Sequence, residues 1–110
     1  MILAIDFDGT LVSDRFPEIG EPQFFAFESL RLLKQNGNRL ILWTCREDSP
    51  ARAYLTEAVE FCRAQGVEFD AVNSNVNENP YAHLGEGRKV YADYYIDDKS
   101  LLPEWGAYFK

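Results

Sequence analysis

Two short apolar runs with little alternation, Ile2 to Asp6 and Arg39 to Thr44, flank a stretch whose apolar residues recur at helical spacing. Runs of that kind suit strands covered on both faces, and parallel neighbours need a crossover long enough to hold a helix. The chain is thereby constrained to an α/β arrangement.

The remaining pattern extends that unit. Pro22 suits a first helical turn, Ala26, Phe27, Leu30 and Leu33 share one face, and Asn36-Gly37 supplies a left-handed stop, which predicts a helix over 22–36. Ser49-Pro50 reads as an N-cap and first helical position of a second helix running to Gln65. Its apolar positions are Ala51, Tyr54, Leu55, Ala58, Val59 and Cys62, and Gly66 closes it. Residues 67–72 alternate as an edge strand would, 73–88 read as loop, and Tyr94 to Asp98 form a last strand. The aromatic group Phe24, Phe25 and Phe27 is assigned to the core. The expectation is a single Rossmann-like three-layer sandwich over 1–110, with a mostly parallel central sheet and helices on both faces.

At 110 residues, one domain can bury roughly 65% of the surface its unfolded chain exposes, so no staples are needed. Cys45 and Cys62 are too few for a disulfide framework and read as buried thiols in a reducing compartment. The opening run meets Asp6 almost at once and no stretch approaches the roughly 20 apolar residues of a membrane span, so a soluble, cytoplasmic protein without a membrane partner is expected. Eighteen acidic against 11 basic residues, a net charge of -7, argue against nonspecific nucleic-acid binding.

Four of those acids fall at strand ends. A parallel sheet brings the C-terminal ends of its strands to one rim, where Asp6 and Asp8 of the first strand, Thr44 of the second, and Asp97 and Asp98 of the last would meet. Carboxylates so crowded need a counterion, and oxygen donors without a His or Cys cluster favour Mg²⁺. Gly9 permits a sharp turn after the strand, where main-chain amides together with the Thr44 hydroxyl suit phosphate oxygens.

The runs ILAIDFDGTLV, RLILWTCR and YYIDDK, with Lys89 between the last two, resemble in order the four motifs of the haloacid dehalogenase superfamily of phosphohydrolases. The resemblance implies a phosphomonoesterase working through an aspartyl phosphate, with Asp6 as nucleophile and Asp8 as general acid and base. It implies Thr44 as the second-motif residue of the catalytic set and Lys89 as the lysine offsetting negative charge, with Arg88 and Lys99 as rivals; Gly9, Thr10, Cys45 and Arg46 are the residues expected to bind substrate. It also implies Mg²⁺ held by Asp6, the Asp8 main-chain carbonyl, Asp97 and Asp98, with Asp97 the favoured direct ligand. No interval is long enough for a cap domain, which leaves residues 11–21 and 73–88 as loops over the rim and a second subunit as a possible lid. The substrate is a phosphorylated compound whose identity the motifs do not specify.

Two readings stand open for Arg46: a bidentate clamp on substrate phosphate or carboxylate, or a partner of nearby Glu47 or Asp48. Asn73, Asn75, Asn77 and Asn79 read as turn residues and His83 as a solvated loop residue. Two other functions use similar groups. A receiver domain keeps its phosphoryl group as a signal, but its acidic pair follows the first strand and its acceptor aspartate a middle one, the reverse of the order here. A silent Mg²⁺ or phosphate-binding module would bind without turnover.

Overall fold

The computed structural model describes residues 1–85 and 87–103. Four parallel strands form one sheet: β1 (Ile2–Ile5), β2 (Arg39–Leu42), β3 (Ala71–Val72) and β4 (Tyr94–Ile96), in the order β3-β2-β1-β4. Helices α1 (Ala26–Gln35) and α2 (Tyr54–Ala64) connect β1 to β2 and β2 to β3. The α/β, Rossmann-like class expected from the sequence is the class observed.

Side-chain alternation divides the core between the two faces of the sheet. Leu3, Ile5, Leu40 and Leu42 pack with Phe27 and Leu30 of α1 and with Ala58 and Cys62 of α2. Ile2, Ala4 and Ile41 face the other way, against Val76, Val90 and Ala92. Each fully buried aliphatic side chain contributes about 1.5–3 kcal/mol, so the two central strands anchor the fold.

Both helices therefore lie on one face, where the sequence pattern led us to expect them on both. The strand order supplies the reason. The path β1 to β2 to β3 steps in one direction, and right-handed crossovers stepping one way lay their helices on the same face. Only the return from β3 to β4 reverses direction, and Val76, Val90 and Ala92 on that return pack against the opposite face; among its described residues the regular structure is a 3-10 turn, Ala82–Leu84.

Several boundaries also move. Pro22 bridges Val12, with Ser13 N–H donating to Glu21 O and Gln23 N–H to Leu11 O, so residues 13–21 close into a loop and α1 begins only at Ala26. Phe24 and Phe25 are consequently exposed, their rings in contact at a 50° tilt, and of the aromatic trio only Phe27 is core. The start of α2 shifts from Pro50 to Tyr54 because Ser49 bonds Arg52 in a turn, while Asp48 accepts from the Thr56 amide and caps the helix from outside. The last strand is an exposed edge, with Tyr94 and Ile96 both open to solvent.

Asp70 ties the sheet to α1. One oxygen accepts the Leu40 N–H at 2.8 Å, and the other faces Lys34 at 3.1 Å and Arg39 at 3.4 Å. Despite desolvation, the Leu40 amide and these cations hold the Asp70 carboxyl below its usual range. A depressed folded pKa means stabilisation that is present above the unfolded value and lost as pH falls through the folded one. Asp70→Ala is expected to lower the free energy of unfolding by about 1–3 kcal/mol near neutral pH, read as a lower urea midpoint, with the difference from wild type shrinking in acid; equal midpoints at pH 7 would contradict this role.

Candidate active site

The reversal of direction between β1 and β4 makes the crevice at their C-terminal ends a topological switch point, where ligands collect in open α/β sheets. Register fixes what reaches it. Ile5 pairs with both Leu42 and Ile96, and Asp6 N–H donates to Ile96 O, so Asp6 and Asp97 leave adjacent strands at the same height.

Carboxylate oxygens of Asp6, Asp97 and Asp98 lie within 4.8 Å of one another. The Thr10 hydroxyl sits among them, 3.0 Å from Asp6 Oδ2 and 3.2 Å from Asp98 Oδ1, and accepts the Asp98 N–H. Burial pushes the Asp6 carboxyl up to about 6, the Thr10 hydrogen bond opposes this, and the Asp97 charge adds to the rise. Despite desolvation, Asp98 is held below the ordinary carboxylate range, chiefly by Lys99. The donor set is three carboxylates with no imidazole or thiolate, which suits a hard divalent cation such as Mg²⁺.

Beside the triad opens a cleft of about 300 Å³. Its walls bring together Asp6, Asp8, Thr44, Cys45, Arg46 and Asp97. Asp14, Phe16 and Lys99 complete it. Thr44 is oriented at both ends: its N–H donates to Asn73 Oδ1 at 2.8 Å, and its hydroxyl oxygen accepts the Arg46 N–H. Asn73, read from sequence as a turn residue, is thus a support of the site, in a left-handed conformation at φ 51°.

Five placements differ from those expected of the sequence. Lys89 lies away from the cleft, its ammonium 4.7 Å from the centre of the Tyr95 ring, whereas Lys99 lines it and reaches Asp98 at 3.2 Å. Arg46 is buried in the cleft wall and pairs with neither Glu47 nor Asp48; its fork grips both Asp8 oxygens at 2.8 and 2.9 Å. The Gly9 and Thr10 amides are taken up inside the turn, donating to Val12 O and Phe7 O, so they are not a phosphate cradle. Thr10 serves the acidic cluster and does not line the cleft. Cys45 is exposed at the cleft, and Cys62 alone is buried.

Asp14 and Phe16 escaped the sequence reading because residues 11–21 carry no periodicity from which a side chain's direction follows. The Arg46–Asp8 pair was within reach: each lies two positions past its strand-end site residue, Thr44 or Asp6, on neighbouring parallel strands.

A solved structure, that of a conserved protein coded by a locus of Bacteroides thetaiotaomicron, is similar to this chain at 47% identity and a TM-score of 0.80. The similarity covers 99% of this chain and 86% of that one. No protein-family model and no curated protein matches the chain.

Proposed function

We propose, for a chain that belongs to the same family as that conserved Bacteroides protein, the activity of a Mg²⁺-dependent phosphomonoesterase working through an aspartyl phosphate. The observation that carries the reading is the convergence of the Asp6, Asp97 and Asp98 carboxylates beside a cleft that also presents Asp8, Thr44 and Lys99. The resemblance of these strand ends to haloacid dehalogenase motifs supports the same assignment.

Bound by Asp6, Asp97 and Asp98, Mg²⁺ would offset the negative charge that otherwise keeps a carboxylate and a phosphate apart. Thr44 Oγ1–H and the Lys99 ammonium orient the phosphate oxygens. A carboxylate oxygen of Asp6 forms a bond to phosphorus while the bond to the leaving oxygen breaks, and Asp8 donates a proton to that oxygen. Water then attacks phosphorus, Asp8 takes up its proton, and the bond from Asp6 breaks to release inorganic phosphate.

A panel of phosphomonoesters including p-nitrophenyl phosphate, assayed with Mg²⁺ and with chelator, tests the reading: turnover is expected with the cation and lost without it. Lys99→Met is expected to raise KM about tenfold, the loss of one charge-assisted contact, and Lys89→Met to leave it unchanged; the reverse ranking would restore Lys89 to the site. Unpaired thiols at Cys45 and Cys62 support a reducing, cytoplasmic setting, and no helix among the described residues is long and apolar enough to cross a membrane. Asp14 and Phe16 of the loop of residues 13–21 line the cleft, and a second subunit as lid belongs to the same reading.

One observation favours a second reading. Both Asp8 oxygens already accept from Arg46, as suits a module that binds Mg²⁺ and phosphate without turnover. That reading predicts tight Mg²⁺ binding with no hydrolysis across the panel.

A further inference from the structure

Among the described residues, Arg46 is the only charged one that is buried. A buried guanidinium must be paired and hydrogen-bonded to offset its lost hydration. Its partners come from three places. Nε and Nη2 grip Asp8, Nη2 also donates to Glu18 O at 3.1 Å, and Nη1 donates to Tyr54 O at 3.2 Å at the start of α2. The rings of Phe7 and Phe16 each lie 5.1 Å from its central carbon.

Glu18 and Phe16 belong to the loop of residues 13–21, which carries Asp14 and Phe16 to the cleft. Its base is closed by hydrogen bonds between Ser13 and Glu21. Its far end rests on Arg46, on Arg52 through the Glu18 carboxylate, and on the Phe16–Tyr54 ring contact. One nitrogen, Arg46 Nη2, serves both the loop and Asp8, so the planar fork cannot follow one without turning against the other.

We propose that Arg46 is a positioning residue that couples this loop to the Asp8 carboxylate, so that the docked loop and the placed acid/base form one cooperative arrangement. The catalytic half of the claim rests on the phosphomonoesterase reading; the mechanical half does not. A displacement of about 1 Å at an acid/base group costs on the order of 100-fold in rate, which sets the effect to look for.

Two variants approach the coupling from opposite ends. Arg46→Lys keeps a charge but loses the fork, and Phe16→Ala loosens the loop while leaving the Arg46–Asp8 pair in place. Both are expected to speed amide hydrogen exchange across residues 13–20 by about tenfold or more and to lower kcat, by about 100-fold in Arg46→Lys. In Arg46→Lys, KM is expected to stay near the wild-type value, and Mg²⁺ affinity by calorimetry should match wild type in both, which shows the fold and the acidic triad intact. Unchanged loop exchange in Arg46→Lys overturns the proposal, as does a Phe16→Ala loop that exchanges faster with kcat intact. A raised KM with unchanged kcat in Arg46→Lys also overturns it, because the guanidinium would then be a substrate clamp. Should the wild type turn over no phosphoester, the functional reading fails, and loop exchange in Asp8→Asn decides the coupling alone: faster exchange supports it and wild-type exchange rejects it.

Discussion

Asp6→Asn should abolish phosphoester turnover, with a fall in kcat of at least about ten-thousandfold, the scale seen when a covalent nucleophile is removed. The carboxamide occupies the same space and keeps an oxygen toward Thr10, so the fold is retained while the nucleophile is lost. That loss corresponds to about 5 kcal/mol of transition-state stabilisation. Steady-state kinetics on p-nitrophenyl phosphate with saturating Mg²⁺ checks it, and near-wild-type turnover would remove Asp6 from the nucleophile role. Thermal melts run in parallel separate lost chemistry from lost structure.

Gly9→Ala is expected to damage the proposed cation site without replacing any of its ligands. Gly9 adopts φ +87°, a region where a Cβ costs about 1–3 kcal/mol. A Cβ built there would also stand 2.5 Å from Asp98 Oδ2 and 2.9 Å from its carboxyl carbon. Something must shift, and the Asp98 carboxylate is the group in the way. Mg²⁺ affinity should fall about 10- to 100-fold, the usual effect of disturbing a group that orients a ligand, together with a lower unfolding midpoint. Titration calorimetry that finds wild-type affinity would contradict the assigned role of Asp98.

Where periodicity and strand ends governed the outcome, the sequence was readable. The continuous apolar character of Ile2–Ile5 and Arg39–Leu42 is a property of the local chain that marks strands covered on both faces, and parallel pairing with β4 then brings Asp6, Thr44 and Asp97 to one rim. Long-range geometry was less readable. Ser49-Pro50 carries a helix-start signature, yet the cap of α2 comes from Asp48, whose carboxylate returns to Thr56 after a four-residue turn. Lys89 was misplaced because the return from β3 to β4 crosses the far face of the sheet. Lys89 comes at the end of that path, just before β4 begins, whereas Lys99 comes just after β4 ends and lines the cleft. Sequence neighbours are a poor guide to Arg46, whose partner Asp8 lies just past the end of the adjacent strand, 38 residues away. Register, which pairs Ile5 with Leu42, is what brings them together.

If phosphorus becomes bonded to Asp6 during turnover, an acyl-phosphate trap captures that bond. In Asp8→Asn, p-nitrophenolate can still leave without a proton, but the second step lacks its base, so the intermediate should accumulate. Borohydride reduces an acyl phosphate to an alcohol, which would convert Asp6 to homoserine, readable by peptide mass spectrometry. That conversion is expected when Mg²⁺ and p-nitrophenyl phosphate are both present, and no conversion when either is left out. Mg²⁺-dependent hydrolysis by the wild type, with Asp6 unreduced in the trapped variant, would contradict it.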